Sequence, residues 1–459
     1  MTAAFKFADA FAGVGGFHAA LASLGGECAW ASEIDPFAAA VYKHNWGHEP
    51  TGDIVPQTPE EGATEVPAHD IFAGGFPCQP FSKSGFQRGI NETRGTLFWN
   101  ILRVLEDKKP SVVLLENVRN LAGPQQRKTF DTIVGNLRNV GYRVATEPAV
   151  FSPHLLPASQ GGAPQIRDRV FITGTWVGPD ANAKEKGVGL PPLLTPRAVT
   201  GWNPQHWNID DYLDPDVLVE RLDRYQLSDE QQQVIEVWND FLRVVDRSQP
   251  LPGFPIWADA FTFPAVIPAG TPAWKSNFLR KNADFYQRNQ KAIDQWLKRH
   301  NNLDGLAASR RKLEWQAQDA ERSLWNCVLH FRPSGIRAKK PTYVPALVAI
   351  TQTSIIGARR RRITPKEALA LQGLPSWFDF QNQPEAQSYK QLGNGVNAGV
   401  VRYVLRQHAV RDESVMPPAL FTALTSTPRA LPQPAWHTAP AVVTKAIDLD
   451  ALQAAPLSM

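Results

Sequence analysis

Short apolar runs of strand length recur through the first 175 residues, and most are followed by a turn signal and a segment of helical composition. Residues 5–10 form the first run. Gly13, Gly15 and Gly16 then break the pattern, and Phe17, Ala19, Ala20 and Leu21 open a helix-like stretch. Further apolar runs fall at 28–32, 70–73, 111–115 and 170–173. Runs this short and this apolar predict buried strands, and strands alternating with helices predict an open sheet of βαβ units. The expected fold class is α/β, a doubly wound Rossmann-like domain.

From about residue 178 the pattern changes to Pro-rich stretches alternating with long charged helices and many tryptophans, which predicts a second, mixed and partly helical domain. Ser228 and Gln231 form a capping-box pattern, and Val234, Trp238, Leu242 and Val245 recur at three- and four-residue spacing behind it. Another helix is expected over 277–299, with Phe278, Phe285, Ile293 and Trp296 facing inward. Residues 332–340 read as a basic, turn-rich segment. Thr364 followed by Pro365 marks a helix start. Residues 389–396 open a last helix, and beyond Glu413 the chain turns Pro- and Ala-rich, which predicts a loosely docked or poorly ordered tail. The expected division is 1–175 with 386–412 as one domain, 176–385 as a second, and 413–459 as the tail.

Composition narrows this picture. With 459 residues, 43% of them hydrophobic and 20% charged, the chain is long enough to bury two cores. Its net charge of +4 is compatible with a polyanionic partner, and local clusters must decide that question. The three cysteines, Cys28, Cys78 and Cys327, lie far apart and form no C-x-x-C pair, so neither a disulfide framework nor a metal site is expected. A reducing cytoplasm fits them. The N-terminus lacks a signal-peptide profile, and no apolar run reaches the ~18 residues of a membrane span.

Candidate chemistry gathers at the ends of the apolar runs. Cys78 stands between Pro77 and Pro80 just after the 70–73 run, which puts a thiol on a stiff loop at the carboxyl edge of the sheet. It reads as a nucleophile, or as the small buried apolar group that most free cysteines are. Glu116 ends the 111–115 run at the same edge. Partial desolvation there should raise its pKa and let it share a proton with a substrate, although a carboxylate in that place can also cap a helix. Gln165, Arg167 and Arg169 alternate along a strand-like stretch, so the arginines should share one face, lining a pocket or facing solvent. The polar, Gly-rich stretch 82–95 carries Lys83, Arg88 and Arg94 and reads as a mobile loop. Glu33, twenty residues after Gly13, is placed to bind ribose hydroxyls. A dinucleotide fits less well, because His18 stands where its third fingerprint glycine would fall.

In this order, the glycine loop, Pro77-Cys78-Gln79 with Phe81-Ser82, Glu116-Asn117-Val118, Gln165-x-Arg167-x-Arg169 and Gly393-Asn394 resemble the motifs of the DNA cytosine-5 methyltransferases. The resemblance covers 5–175 and 357–405 well and the segment between them weakly. It implies S-adenosylmethionine as cofactor, with its amino-acid end at Gly13, Gly15 and Gly16, its ribose on Glu33, its adenine near Ile34 and Asp53, Phe11 close by, and Asn394 and Val396 completing the pocket. Cys78 would attack cytosine C6, Glu116 would act at N3 and the amino group, and Arg169, supported by Arg167 and Gln165, would hold O2. The base would be flipped out of double-stranded DNA. Lys83, Arg88 and Arg94 in a closing loop, with Arg332, Arg337, Lys339 and Lys340 in a recognition region over about 176–356, would contact the DNA. Ala346-Leu347 stands where the family usually has Thr-Leu, and Gly395 replaces a more usual serine or alanine. The implied setting is a bacterial or phage-type restriction-modification enzyme in the cytoplasm, associated with the nucleoid, with a separately acting endonuclease and no metal. A tRNA cytosine-5 methyltransferase shares these motifs but usually has a smaller recognition region. A catalytically silent DNA-binding regulator would have no need to keep Cys78, Glu116 and Arg169 together.

Overall fold

The computed structural model describes residues 3–76, 97–180, 201–347 and 353–437. Cys78, Lys83, Arg88 and Arg94 lie outside them. In chain order the first unit contains β1 (Phe5–Ala10), α1 (Gly16–Ser23), β2 (Gly26–Ser32), α2 (Pro36–Trp46), β3 (Ile71–Gly75), α3 (Leu97–Lys108), β4 (Val112–Val118), α4 (Arg127–Val140), β5 (Tyr142–Val144), β6 (Ala149–Phe151) and β7 (Arg169–Trp176). The sheet order is β2-β1-β3-β4-β7-β5, with β6 also on β7. The first four strands are parallel, and β7 runs antiparallel to β4. That reversal positions the chemistry: Arg169, the first residue of β7, pairs with Val118, the last of β4, so the start of β7 lies at the carboxyl edge of the parallel strands.

Strand β4 shows why the sequence reads as unbroken apolar runs. Val112 and Leu114 enter one core with Phe17 and Leu21 of α1, while Val113 and Leu115 enter the other with Ile101 and Leu105 of α3 and Ile133 and Leu137 of α4. Successive side chains point to opposite faces, and both faces are buried.

The second unit contains α5 (Asp229–Val244), β8 (Ile256–Trp257), α6 (Ala273–Arg299), β9 (Lys312–Trp315), β10 (Val328–Arg332), β11 (Gly335–Lys339), β12 (Ile355–Ile356) and β13 (Arg361–Arg362). Its sheet order is β13-β12-β10-β11-β9-β8. The capping box at Ser228 and Gln231 is present, and Val234, Trp238 and Leu242 of α5 are buried with Val245 just after it. Helix α6 starts at Ala273, four residues before the sequence expectation, and its Phe285, Ile293 and Trp296 are buried while Phe278 stays half-buried against Trp257. The 332–340 segment, read as turn-rich, is instead mostly strand: β10 and β11 form an antiparallel hairpin around Pro333 and Ser334.

The chain then returns to the first unit through α7 (Pro365–Leu371), α8 (Glu385–Asn394), α9 (Ala398–Arg411) and α10 (Pro418–Thr425). Ile363, Leu369, Leu371 and Phe378 already lie in the core with Phe17 and Leu21, well before the expected return at 386. Thr364 caps α7 in a full capping box, whose Glu367 also forms a 2.7 Å ion pair with Arg361; the two side chains are 1% and 0% exposed. Removing Glu367 leaves the buried Arg361 with only the partly exposed Asp216, 2.8 Å from its Nε, and so a poorly compensated buried charge. Glu367→Ala should therefore cost about 3–5 kcal/mol in urea unfolding, and a loss under about 1 kcal/mol would count against this account.

The expectation of a loose tail is corrected as far as residue 437. Leu420 and Leu424 of α10 are buried in the first core, Arg429 N–H donates to Ser23 O at 2.8 Å, and Leu431 O accepts from Trp377 Nε1 at 2.8 Å. Trp436 Nε1 donates to His44 O at 2.6 Å. Apolar spacing within α10 is too short to show as a period, so composition alone hid it.

Candidate active site

Three strand ends meet at the carboxyl edge. Gly75 closes β3 in register with Glu116 of β4, and a Cβ at Gly75 would lie 3.1 Å from Glu116 Oε2, so this close approach suits glycine. Glu116 is 8% exposed, and its Oε1 lies 2.8 Å from Arg169 Nε. Burial pushes the Glu116 carboxyl above its ordinary pKa, and the charges of Arg169 and then Arg167 oppose that shift. Asn117 Nδ2 donates to Phe76 O at 2.8 Å. The backbone leading to Pro77 and Cys78 is thereby fixed against the strand that carries Glu116.

The expectation that Arg167 and Arg169 share a strand face is corrected, because β7 begins at Arg169. Arg169 turns to Glu116, whereas Arg167, 1% exposed, sends Nη2 to Gly393 O at 2.8 Å and to Gly395 O. Its pKa is pushed down to about 9 by burial and by Arg169. Gln165 is fully buried, and its Oε1 accepts from Gln372 Nε2 at 3.3 Å. These two side chains hold the returning C-terminal segment in place. Arg119 Nη1 donates to Asp168 Oδ2 at 2.6 Å, tying the segment after β4 to the residue before Arg169.

The glycine loop lies at the same sheet edge. Phe11 has φ +59 and Gly13 φ +55, and nothing lies within 4 Å of a Cβ built at Gly13. Gly13 N–H donates to Glu33 Oε2 at 2.7 Å, and Asp35 N–H to Glu33 Oε1 at 2.7 Å, so Glu33 fixes the loop while burial raises its pKa. Gly15 is covered by the Trp46 indole, and Gly16 packs on Val396 O. Val396 thus reaches the loop, and Asn394 is exposed at the end of α8. Ile34 is 75% exposed, an unusual state for isoleucine beside a buried strand. Asp53 is exposed, and its Oδ1 accepts Val55 N–H at 3.0 Å. Sequence reasoning gave no role to Asp9, although a charge in the middle of an apolar run was the signal. Asp9 is fully buried with no side chain bonded to either oxygen among the described residues; burial raises its pKa well above the ordinary value, against the opposing effect of the His18 backbone N–H.

On the second unit, Arg337 Nε donates to Glu314 Oε2 at 2.9 Å, Arg332 lies 3.7 Å from the same carboxylate, and Lys340 lies 2.6 Å from Asp319. Lys339 is half-buried and has no ion pair among the described residues; burial and then Arg337 lower its pKa. No His, Cys, Asp and Glu cluster suited to a metal occurs among the described residues, and no described helix is long and apolar enough to cross a membrane.

A parallel sheet with a glycine loop after β1, an acidic residue after β2 and a buried carboxylate on β4 beside a guanidinium is an α/β fold of the kind that gathers ligands at the carboxyl edge of its strands. The C-5 cytosine-specific DNA methylase family matches residues 5–409. Type II methyltransferase M.AluI of Cellulosimicrobium cellulans is 45% identical over 493 aligned positions, covering 90% of this chain and 94% of its own. Type II methyltransferase M.HhaI of Haemophilus parahaemolyticus is 41% identical over 167 residues, 36% of this chain and 48% of that one. A solved structure of a putative E. coli prophage DNA modification methyltransferase aligns at 20% identity over 89% of this chain and 99% of its own, with a TM-score of 0.43. The chain belongs to the C-5 cytosine-specific DNA methylase family and is a DNA cytosine-5 methyltransferase.

Proposed function

We propose that the protein methylates one cytosine within a specific double-stranded DNA sequence, using S-adenosylmethionine, as the modification half of a restriction-modification pair in a bacterial cytoplasm. The observation that carries this reading is the 2.8 Å Glu116–Arg169 pair, set against Gly75 three residues before Cys78. Cytosine C5 is a poor nucleophile, and addition of the Cys78 thiolate to C6 makes it electron-rich. Glu116, its carboxyl raised by burial, holds a proton at N3 and accepts from the amino group, while Arg169 donates to O2. Arg167 and Gln165 support Arg169 by anchoring the chain just before it to the returning C-terminal segment.

The residues around the glycine loop fit the cofactor. Open space at Gly13, the exposed Ile34 and the buried carboxylate of Asp9, to which no described side chain bonds, are features that a ligand with an amino-acid end and an adenine ring would satisfy. When bound, S-adenosylmethionine supplies an electrophilic methyl group on a sulfonium. Glu33 would hold the ribose, Gly13, Gly15 and Gly16 the amino-acid end, Phe11, Ile34 and Asp53 the adenine, and Asn394 and Val396 the closing side. Glu33→Gln keeps the size of the side chain and removes its charge, so cofactor binding should weaken by about 1–3 kcal/mol in calorimetry. Unchanged binding would remove Glu33 from the pocket.

For sequence recognition, the Nη atoms of Arg337 and the ammonium of Lys339 have no hydrogen-bond partner among the described residues, which suits the first to a guanine edge and the second to a phosphate. Lys340, already neutralised by Asp319, is the weaker phosphate candidate. Arg337→Ala should cost about 1–3 kcal/mol and relax discrimination at one base pair, whereas Lys339→Ala should weaken all sequences alike and lower the salt slope by about one unit. Equal effects of both variants on cognate and altered duplexes would contradict this division. Bisulfite sequencing of DNA from cells expressing the protein tests the function as a whole: one protected sequence context is expected, and uniformly converted cytosines would overturn the reading.

A further inference from the structure

Two adjoining cavities, of about 430 Å³ and about 270 Å³, run along α9 and share Arg402. One wall is α9 itself, with Arg402 and Arg406 four residues apart and so on one helix face. The strap after α10 also lines them, with Ser426 and Pro428 in the larger cavity beside Arg402 and Arg406 and with Arg429 in the smaller beside Arg402. The family match ends at residue 409, before the strap begins. Gly13, Glu33, Glu116 and Arg169 line neither cavity, which separates the groove from the methylation site.

Charge sets this groove apart. No carboxylate lines either cavity, and the side chains of Arg402, Arg406 and Arg429 have no hydrogen bond or ion pair among the described residues. Arg402 is half-buried, and loss of hydration lowers its pKa. Proteins pair the charges they desolvate, because an unpaired one costs folding free energy. Among the three it is Arg402 that is desolvated without such a partner; Arg406 and Arg429 are exposed beside it, and an anion from outside would meet all of these charges. The fork of a guanidinium matches phosphate oxygens two at a time, and the larger cavity falls in the ~300–1,000 Å³ range of small-molecule sites. Tyr403, Ser159 and Ser426 add hydroxyls to its lining.

We propose that this groove is a phosphate-binding site, accepting the phosphate groups of a free nucleotide or of the DNA backbone beyond the target sequence.

The test uses the full-length protein at low ionic strength. Pyrophosphate and ATP are titrated by calorimetry, and a short cognate duplex is compared with one extended by several helical turns. If the source is a free nucleotide, both small ligands bind, and Arg402→Gln weakens them about tenfold or more. If the source is DNA, the small ligands bind weakly, the extended duplex loses about tenfold affinity in the variant, and the short duplex is unaffected. Methylation of the short duplex should remain normal in either case, which shows that the variant folds. Should Arg402→Gln fail to fold, Arg429→Gln on the exposed strap provides the same readout. Binding of all four ligands that is identical in wild type and variant, or absent throughout, overturns the proposal.

Discussion

Cys78→Ala is expected to abolish methyl transfer, lowering kcat by about 10⁴-fold or more, while affinity for cognate DNA changes little. The thiol is assigned chemistry, and its atoms add little contact area. The last described residues before Cys78 support the assignment: β3 ends at Gly75 against the Glu116 carboxylate, and Asn117 Nδ2 donates to Phe76 O, two residues before Cys78. Covalent trapping on DNA carrying 5-fluorocytosine should disappear with the thiol. A variant that still methylates at a tenth of the normal rate would sink the nucleophile assignment.

Glu116→Gln should lower kcat by about 10²–10⁴-fold, the usual contribution of a positioned proton donor. The pH dependence distinguishes this role from simple packing. Burial raises the Glu116 pKa and the Arg169 charge opposes that rise. A carboxyl that must hold a proton at N3 works below its pKa and fails above it, so kcat should fall with rising pH through that value. Arg169→Gln removes the opposing charge, and the alkaline limb should then move to higher pH even as the rate drops. A limb that stays fixed or moves down would mean that another group sets it.

Much of the catalytic half was legible because its signals are local. The buried strands announce themselves as apolar runs, and Gly13, Glu33 and Glu116 stand at their ends, where an open sheet gathers ligands. Arg167 and Arg169 show the limit of such reading: alternation predicted one shared face, but the strand begins between them and tertiary contacts send one guanidinium to Glu116 and the other to the Gly393–Gly395 turn. The second unit was harder, because strands of two to five residues, such as β12 and β13, are set by their neighbours. The ion pairing of Arg332, Arg337 and Lys340 depends on Glu314 and Asp319, whose proximity no sequence spacing reveals. The strap beyond residue 412 was missed for the same reason: its anchors are Ser23 and His44, hundreds of residues away, and Trp377, 54 residues before Leu431.

The contact of Val396 with Gly16 has a consequence for how the protein is made. A ribosome working at about 5–20 residues per second releases the glycine loop roughly 20–80 s before the segment that closes it. During that interval Phe17 and Leu21 of α1 lack Val401 and Leu405 of α9, the apolar partners that share their core in the finished fold. The nascent chain therefore carries an open half-pocket and an uncovered apolar helix until synthesis is nearly complete. Competence for methylation arrives late and all at once, and a chain terminated early in α9 leaves behind an aggregation-prone fragment in place of a slow enzyme.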